Sequence, residues 1–175
     1  TIYCSRLFRN MDTIARILEY DKKYPLFIHL DKGKMKDWGH FIDISINDIP
    51  VFVTEKLNER HYGKLQGENK EEMIKKYGEE KVRLWRRSYN IAPPAGESLA
   101  DVYKRTNLFY GKYIKKDLKL GKNVLIVASH NALRAIAKYI EKISNEAIIN
   151  LEIPYGGLIE YEFDDNLIMK NKKEF

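Results

Sequence analysis

Val124 to Ala128 is an unbroken run of five apolar residues that passes directly into Ser129 and His130. A helical pattern follows at once, beginning near Ala132. A short continuous apolar run bounded in this way reads as a buried strand. Strands of this kind, separated by long helical patterns, indicate an α/β layered domain. In such sheets ligands gather beyond the carboxyl ends of the strands. His130 stands at one of those ends, directly before a helix. Helix N-termini attract anions through free backbone N–H groups and the helix dipole.

The rest of the chain fits the same class. Asp12–Tyr20 carries apolar residues at 14, 15, 17 and 18 and predicts a short helix. Pro25–Leu30 and Ile49–Val53 read as strands, and the stretch between them, 31–48, is mixed. Asn69 with Glu72 predicts a capping box for a helix ending at Gly78. Glu79–Tyr89 continues as helix, and Ile91–Gly96 is a Pro/Gly break. Leu99, Val102, Thr106, Phe109, Tyr113 and Ile114 keep helical period up to a stop at Gly121. Ser144 is placed to cap a shorter helix. Leu158–Phe163 and Leu167–Lys170 read as a hairpin turning at 164–166. No repeat or linker interrupts the pattern, so one domain is expected over residues 1–175.

Composition excludes several classes. A chain of 175 residues buries enough surface to need no disulfide framework. Cys4 is the only cysteine, so no multi-cysteine metal centre is available within one chain, and a reducing, cytoplasmic setting fits. No apolar run has the length of a membrane span, and the N-terminus lacks the pattern of a signal peptide. The net charge of +6 suits small anionic ligands. Basic residues are not interleaved with aromatics in a patch, so nucleic acid is not an expected partner.

Four clusters are candidate sites. His130 at the strand end could hold a phosphoryl group, or be an ordinary polar residue at a turn. Glu59, Arg60, His61 and Tyr62 lie in LNERHYG, where a carboxylate beside cations can act as general acid or base. The alternative there is a charged turn. Arg86 and Arg87 can present donor forks to carboxylate or phosphate, or simply coat a helix. Arg9, opening a helix after Tyr3–Phe8, is again suited to an anion.

Together these clusters resemble the cofactor-dependent phosphoglycerate mutases of the histidine phosphatase superfamily. The resemblance rests on LNERHYG with LQGENK, on YGEEKVRLWRRSY, on PPAGESLADVYKR, on the strand–His–helix at 124–136, and on IPYGGLIEYEF. These occur in family order and cover nearly the whole chain. The resemblance implies a three-layer fold with a mostly parallel sheet flanked by helices, its first strand missing or replaced. It implies interconversion of 3-phosphoglycerate and 2-phosphoglycerate through a phosphohistidine primed by 2,3-bisphosphoglycerate, with no metal. By motif match Glu59 is the general acid/base, and His130 is the second active-site histidine. Arg9 also holds the phosphoryl group. Tyr62, Lys70, Arg86 and Arg87 hold the substrate's phosphate and carboxylate, and Asn131 adjoins His130. Homo-oligomers are common in the family.

The departures are specific. The family's first strand ends in Arg-His-Gly, whose histidine is the nucleophile, and no Arg-His-Gly occurs in the 175 residues. Histidines stand at 29, 40, 61 and 130 only. The family's His-Gly-Asn-Ser-Leu-Arg reads here as His130-Asn131-Ala132-Leu133-Arg134, one residue short, with the glycine lost. Tyr155 replaces a small residue near the C-terminus. Arg9 and Glu59 are separated by extra residues over Pro25–Asp48. His29 in the Pro25 strand is a weak substitute for the nucleophile. The expectation is a mutase by descent that is inactive or nearly so as it stands. The alternatives are a non-catalytic module that binds a phosphorylated metabolite or a partner, and an intact enzyme with residues beyond those given. If a first strand is gone, some element must fill its slot, either the Pro25 strand or a neighbouring chain's edge.

Overall fold

A computed structural model describes residues 1–31 and 45–175. It resolves into two units, one of Thr1–Glu59 with Gly111–Ser129, the other of Arg60–Tyr110 with His130–Phe175. Most of the Pro25–Asp48 segment, His40 included, lies outside the described residues.

The first unit is built on a four-stranded, all-parallel sheet in the order β2-β3-β1-β4. Its strands are β1 (Ile2–Ser5), β2 (Tyr24–His29), β3 (Asp48–Thr54) and β4 (Leu125–Val127). β1 is a central strand, pairing with β3 on one side and β4 on the other. Successive strand side chains point to opposite faces. Cys4 therefore packs with Ile14 of α1 (Phe8–Tyr20), together with Val51 and Val53, all fully buried. Tyr3 faces the other way. Its hydroxyl donates to Asp117 at 2.8 Å, and its ring lies 6.5 Å from Tyr113. A helical layer thus covers each face of β1. The expected parallel sheet flanked by helices is what forms.

The Pro25 strand does enter the sheet, as the strand beyond β3, with Phe27 opposite Val51 and His29 opposite Val53. The four strands are continuously hydrogen-bonded, with no empty slot between them. Leu7 precedes α1 in extended conformation, and the helix starts at Phe8, four residues before the expected start at Asp12.

The second unit is mainly helical. Asn69 caps α2 (Lys70–Tyr77) by accepting from the Glu71 N–H at 2.8 Å. This is a simple cap in place of the expected box with Glu72. Gly78, at φ +85, separates α2 from α3 (Glu79–Arg87). Leu65, Met73, Val82 and Trp85 form one buried cluster. Leu99 and Val102 of α4 (Leu99–Phe109), Ala135 of α6 (His130–Glu141) and Ile148 form another. The long helix expected to reach Gly121 is not uniform. A π-helical turn, Tyr110–Ile114, follows α4 before α5 (Lys115–Lys119), so the helical period shifts there. Ser144 Oγ accepts from the Ala147 N–H at 3.1 Å, but the turn it supports is a short 3-10 turn.

A capping box starts α4. Ser98 Oγ accepts from Asp101 N–H at 3.1 Å, while the Asp101 carboxylate accepts from Ser98 N–H at 2.9 Å. Those bonds to Ser98, first its hydroxyl and then its N–H, hold the Asp101 carboxyl below its ordinary range. The box is therefore complete at neutral pH and is lost only as pH falls through that lowered value. Ser98→Ala is expected to destabilise the protein by about 1 kcal/mol, measured as a shift in urea midpoint.

The hairpin of β5 (Ile159–Phe163) and β6 (Met169–Glu174) is antiparallel, as the 164–166 turn predicts. It is tied to α6 through Glu141, which accepts from the Tyr161 hydroxyl at 2.5 Å and from Lys172 Nζ at 3.1 Å. Burial and that carboxylate raise the Tyr161 phenol.

Candidate functional site

In the first unit, polar side chains gather at the carboxyl ends of β1 and β4. Arg9, the second residue of α1, donates from Nε and Nη2 to Ser129 Oγ at 3.2 and 2.8 Å. Asn10 Nδ2 donates to Ser129 Oγ at 3.1 Å and to Ser5 Oγ at 2.6 Å. The residue that Arg9 meets at the end of the apolar strand is thus Ser129. Neither Ser129 nor Asn10 was a candidate site residue in the sequence, because neither titrates.

Glu59 ends the segment after β3 and is half-buried. The turn before it is fixed. Thr54 Oγ1 donates to Asp31 Oδ1 at 2.9 Å, the Glu55 N–H donates to Asp31 Oδ2 at 2.8 Å, and Asn58 Oδ1 accepts from the Arg6 N–H at 2.9 Å.

In the second unit, two of the quoted motifs prove to be one interlocked structure. Gly63 has φ +58, and a Cβ there would sit 2.1 Å from the Pro94 carbonyl oxygen. Only glycine tolerates both the left-handed backbone and the contact. The Lys64 N–H donates to that same carbonyl at 2.9 Å. His61 belongs to this lock. Its Nδ1 accepts from the Gly63 N–H at 3.1 Å, and its backbone N–H donates to Glu97 at 3.0 Å. The Arg105 fork meets the same carboxylate at 2.8 and 3.1 Å. Burial works to raise Glu97, but Arg105 and the His61 N–H prevail and hold it low.

Arg60 is also structural in this unit. It is 3 % exposed, its Nη2 donates to the Arg86 carbonyl at 3.2 Å, and its guanidinium lies 4.6 Å from the Tyr62 ring centroid. The LNERHYG loop thereby grips the end of α3. Tyr62 is half-buried, and Lys70 is exposed at the first position of α2.

Two of the anion-binding candidates of this unit, Arg87 and His130, meet at Glu152. Arg87, the last residue of α3, donates to Glu152 Oε1 at 2.8 Å. His130 Nε2 lies 3.1 Å from Glu152 Oε2. The Arg87 bond holds the Glu152 carboxyl low against the smaller effect of burial, with His130 and Arg134 adding to it. His130 is the first residue of α6, so Asn131 is helical too. Asn131 is buried, and its Oδ1 accepts from Arg134 Nη1 at 3.0 Å. No tight turn separates His130 from Asn131, so a glycine is not needed between them. Glu152 could have been suspected from its place before the Pro154–Gly157 turn, but no spacing pointed to it.

Among the described residues there is no cluster of His, Cys, Asp and Glu that could hold a metal ion, and no helix is long and apolar enough to cross a membrane.

Comparison with known proteins agrees with these motifs. Residues 42–170 match the model of the histidine phosphatase superfamily (branch 1). A 2,3-bisphosphoglycerate-dependent phosphoglycerate mutase of Methanococcus vannielii is 43% identical over 179 aligned positions, covering 99% of this chain and 76% of that protein. The protein of the same name from Chlamydia pneumoniae is 40% identical, covering 99% and 78%. The extra Pro25–Asp48 stretch thus lies within the span shared with these relatives. A mycobacterial glucosyl-3-phosphoglycerate phosphatase has the same fold, with a TM-score of 0.68 at 18% identity, covering 99% of this chain and 74% of that one. So does Bacillus stearothermophilus YhfR, with a TM-score of 0.68 at 17% identity, covering 97% and 70%. The sheet, the motif order and these likenesses agree, and the chain belongs to branch 1 of the histidine phosphatase superfamily.

Proposed function

We propose that this chain is a phosphoglycerate mutase by descent, a single cytoplasmic domain of a family that serves glycolysis. The observation that carries the reading is 40–43% identity to 2,3-bisphosphoglycerate-dependent phosphoglycerate mutases over nearly the whole chain. In this reading phosphoryl passes from a histidine to the substrate hydroxyl, and Glu59 takes the hydroxyl proton. In the return step that proton goes back as the other phosphoryl is taken up. Covalent catalysis of this kind splits one hard transfer into two easier ones. Cationic side chains steady the phosphoryl oxygens without a metal. By motif match Arg9 and His130 serve the phosphoryl group. Tyr62, Lys70, Arg86 and Arg87 serve the substrate's charged ends, with Asn131 beside His130.

The 2,3-bisphosphoglycerate of the relatives' name supplies the phosphoryl group that primes the histidine. The residues present suit such a polyanion, because Arg87 and His130 already hold a carboxylate, that of Glu152. Arg86 and Arg87 would take its charged ends.

The nucleophile is the weak point. None of the 175 residues forms Arg-His-Gly, and His29 is committed to the edge strand β2. A second reading is favoured by the grip of Arg87 and His130 on the Glu152 carboxylate: the domain binds the phosphorylated metabolite without turning it over.

Calorimetry with 3-phosphoglycerate tests both readings. Binding is expected, and Arg87→Gln should weaken it by roughly 10- to 100-fold, the effect of losing one charge-assisted bond. No heat with either 3-phosphoglycerate or 2,3-bisphosphoglycerate would overturn both.

A further inference from the structure

We propose that Glu152 is a built-in stand-in for the ligand's anionic group, and that phosphate binds to this unit by displacing it. The inference rests on the phosphate-binding reading of Arg87 and His130 given above, and adds a residue to which no motif assigns a role.

Three observations support displacement. First, Glu152 holds both candidate anion-binding groups at once, Arg87 at 2.8 Å and His130 at 3.1 Å. A carboxylate between a guanidinium and an imidazole occupies the position that a phosphate oxygen pair would take.

Second, the bridge is easily broken. The Glu152 and Arg87 side chains are 60% and 63% exposed. Ion pairs so open to water contribute little net stability. A phosphate dianion brings more charge and more acceptor oxygens than one carboxylate, and so competes well for the same donors.

Third, His130 has a second partner ready. Its Nε2 also lies 3.4 Å from the Ile153 N–H. The two partners make opposite demands. Glu152 requires a proton on Nε2, and the Ile153 N–H requires a lone pair there. The shorter, charge-assisted Glu152 contact is the dominant one. When Glu152 leaves, a neutral imidazole can fall back on Ile153, and a protonated one can turn to the ligand.

The charges facing Glu152 within this unit are Arg87 at the end of α3, and His130 and Arg134 on α6. Arg134 is buried and fixed, donating to Asn131 and to the Ile148 carbonyl. With Glu152 swung out, the Arg87 and Arg134 guanidinium groups keep their positive charge. Glu152 is followed directly by a turn, in which the Gly157 N–H donates to the Pro154 carbonyl at 3.0 Å and Gly156 has φ +73. Tyr155 at its tip is fully exposed. The carboxylate therefore has open solvent to move into.

The test is calorimetric titration of inorganic phosphate into the wild-type chain, Glu152→Gln and Glu152→Ala, at low and high ionic strength. Circular dichroism confirms that each variant is folded. Displacement requires that both variants bind phosphate more tightly than wild type, by about tenfold at low salt, and that the gain shrinks as salt screens it. Weaker binding in the variants would mean that Glu152 positions Arg87 and His130, and would overturn the proposal. Unchanged affinity, or no phosphate binding to either variant, would overturn it equally. Failure of the mutase reading looks different: phosphate binding tightens as stated, but 3-phosphoglycerate does not bind.

Discussion

Residues 1–175, produced as a polypeptide of 20.7 kDa, are expected to interconvert 3-phosphoglycerate and 2-phosphoglycerate more slowly than a histidine-bearing mutase by a factor on the order of 10⁴–10⁶. The reason is chemical. A phosphoryl group must rest on a nucleophile between the two half-reactions, and Glu59 is proposed for the proton transfers instead. Positive charge that stabilises a transferring phosphoryl group speeds a reaction only if there is somewhere for that group to go. The assay couples 2-phosphoglycerate formation to enolase, on protein whose intact mass has been measured. Turnover within about a hundredfold of a competent mutase would remove the argument and send attention to His29 or His130 as nucleophile. A longer chain with an Arg-His-Gly strand before Thr1 is expected to be active, and comparison of the two isolates the contribution of that strand.

Replacing Trp85 with alanine is expected to lower stability by about 3–5 kcal/mol. Trp85 is 5 % exposed and fills the cluster of Leu65, Met73 and Val82. The Tyr77 ring meets it edge-on, centroids 5.3 Å apart at 74°. An edge-to-face pair adds roughly 0.5–1.5 kcal/mol beyond burial. The cluster is small, so few neighbours can relax into the void. The effect also reaches the site, since Arg86 and Arg87 are the next two residues and the Arg60 guanidinium holds the Arg86 carbonyl. Urea unfolding followed at 222 nm should show the loss of stability, and 3-phosphoglycerate affinity should fall with it. Trp85→Phe, which keeps most of the volume, should cost less on both measures. A stability loss below about 1 kcal/mol for Trp85→Ala would show that the cluster does not support α3 in this way.

The fold class was legible because the strongest signals were local. The Val124 run, the Glu79–Tyr89 period and the turn at 164–166 each describe one element that the structure forms, whereas the period from Leu99 to Gly121 is divided by a π-helical turn. β1 was not legible. Its four residues, Ile2–Ser5, are too few to show a period, and their central place depends on β3 and β4, which are distant in sequence. The π-helical turn was hidden because a single extra residue per turn barely disturbs an apolar pattern.

The site was legible as a set of residue types but not in its pairings. Reading Val124–Arg134 as one residue short made His130 the partner of the strand end. Ser129 meets Arg9, while His130 begins α6 and meets Glu152. Glu152 itself was invisible because a lone glutamate carries no pattern. Its significance appears only when the ends of α3 and α6 bring Arg87 and His130 to it.

The buried face of β1 has one more consequence. Cys4 is the only thiol, has no exposed surface, and sits on the central strand between Val53 and Val127. Burial pushes it up to about 12, against a smaller opposing effect of the Ser5 backbone. A thiol so placed is neither ionised nor reachable while β1 keeps its two neighbours. Its modification by a labelling reagent therefore clocks the departure of the central strand from the sheet, and the sequence carries within it a single-site reporter of how often its own core opens.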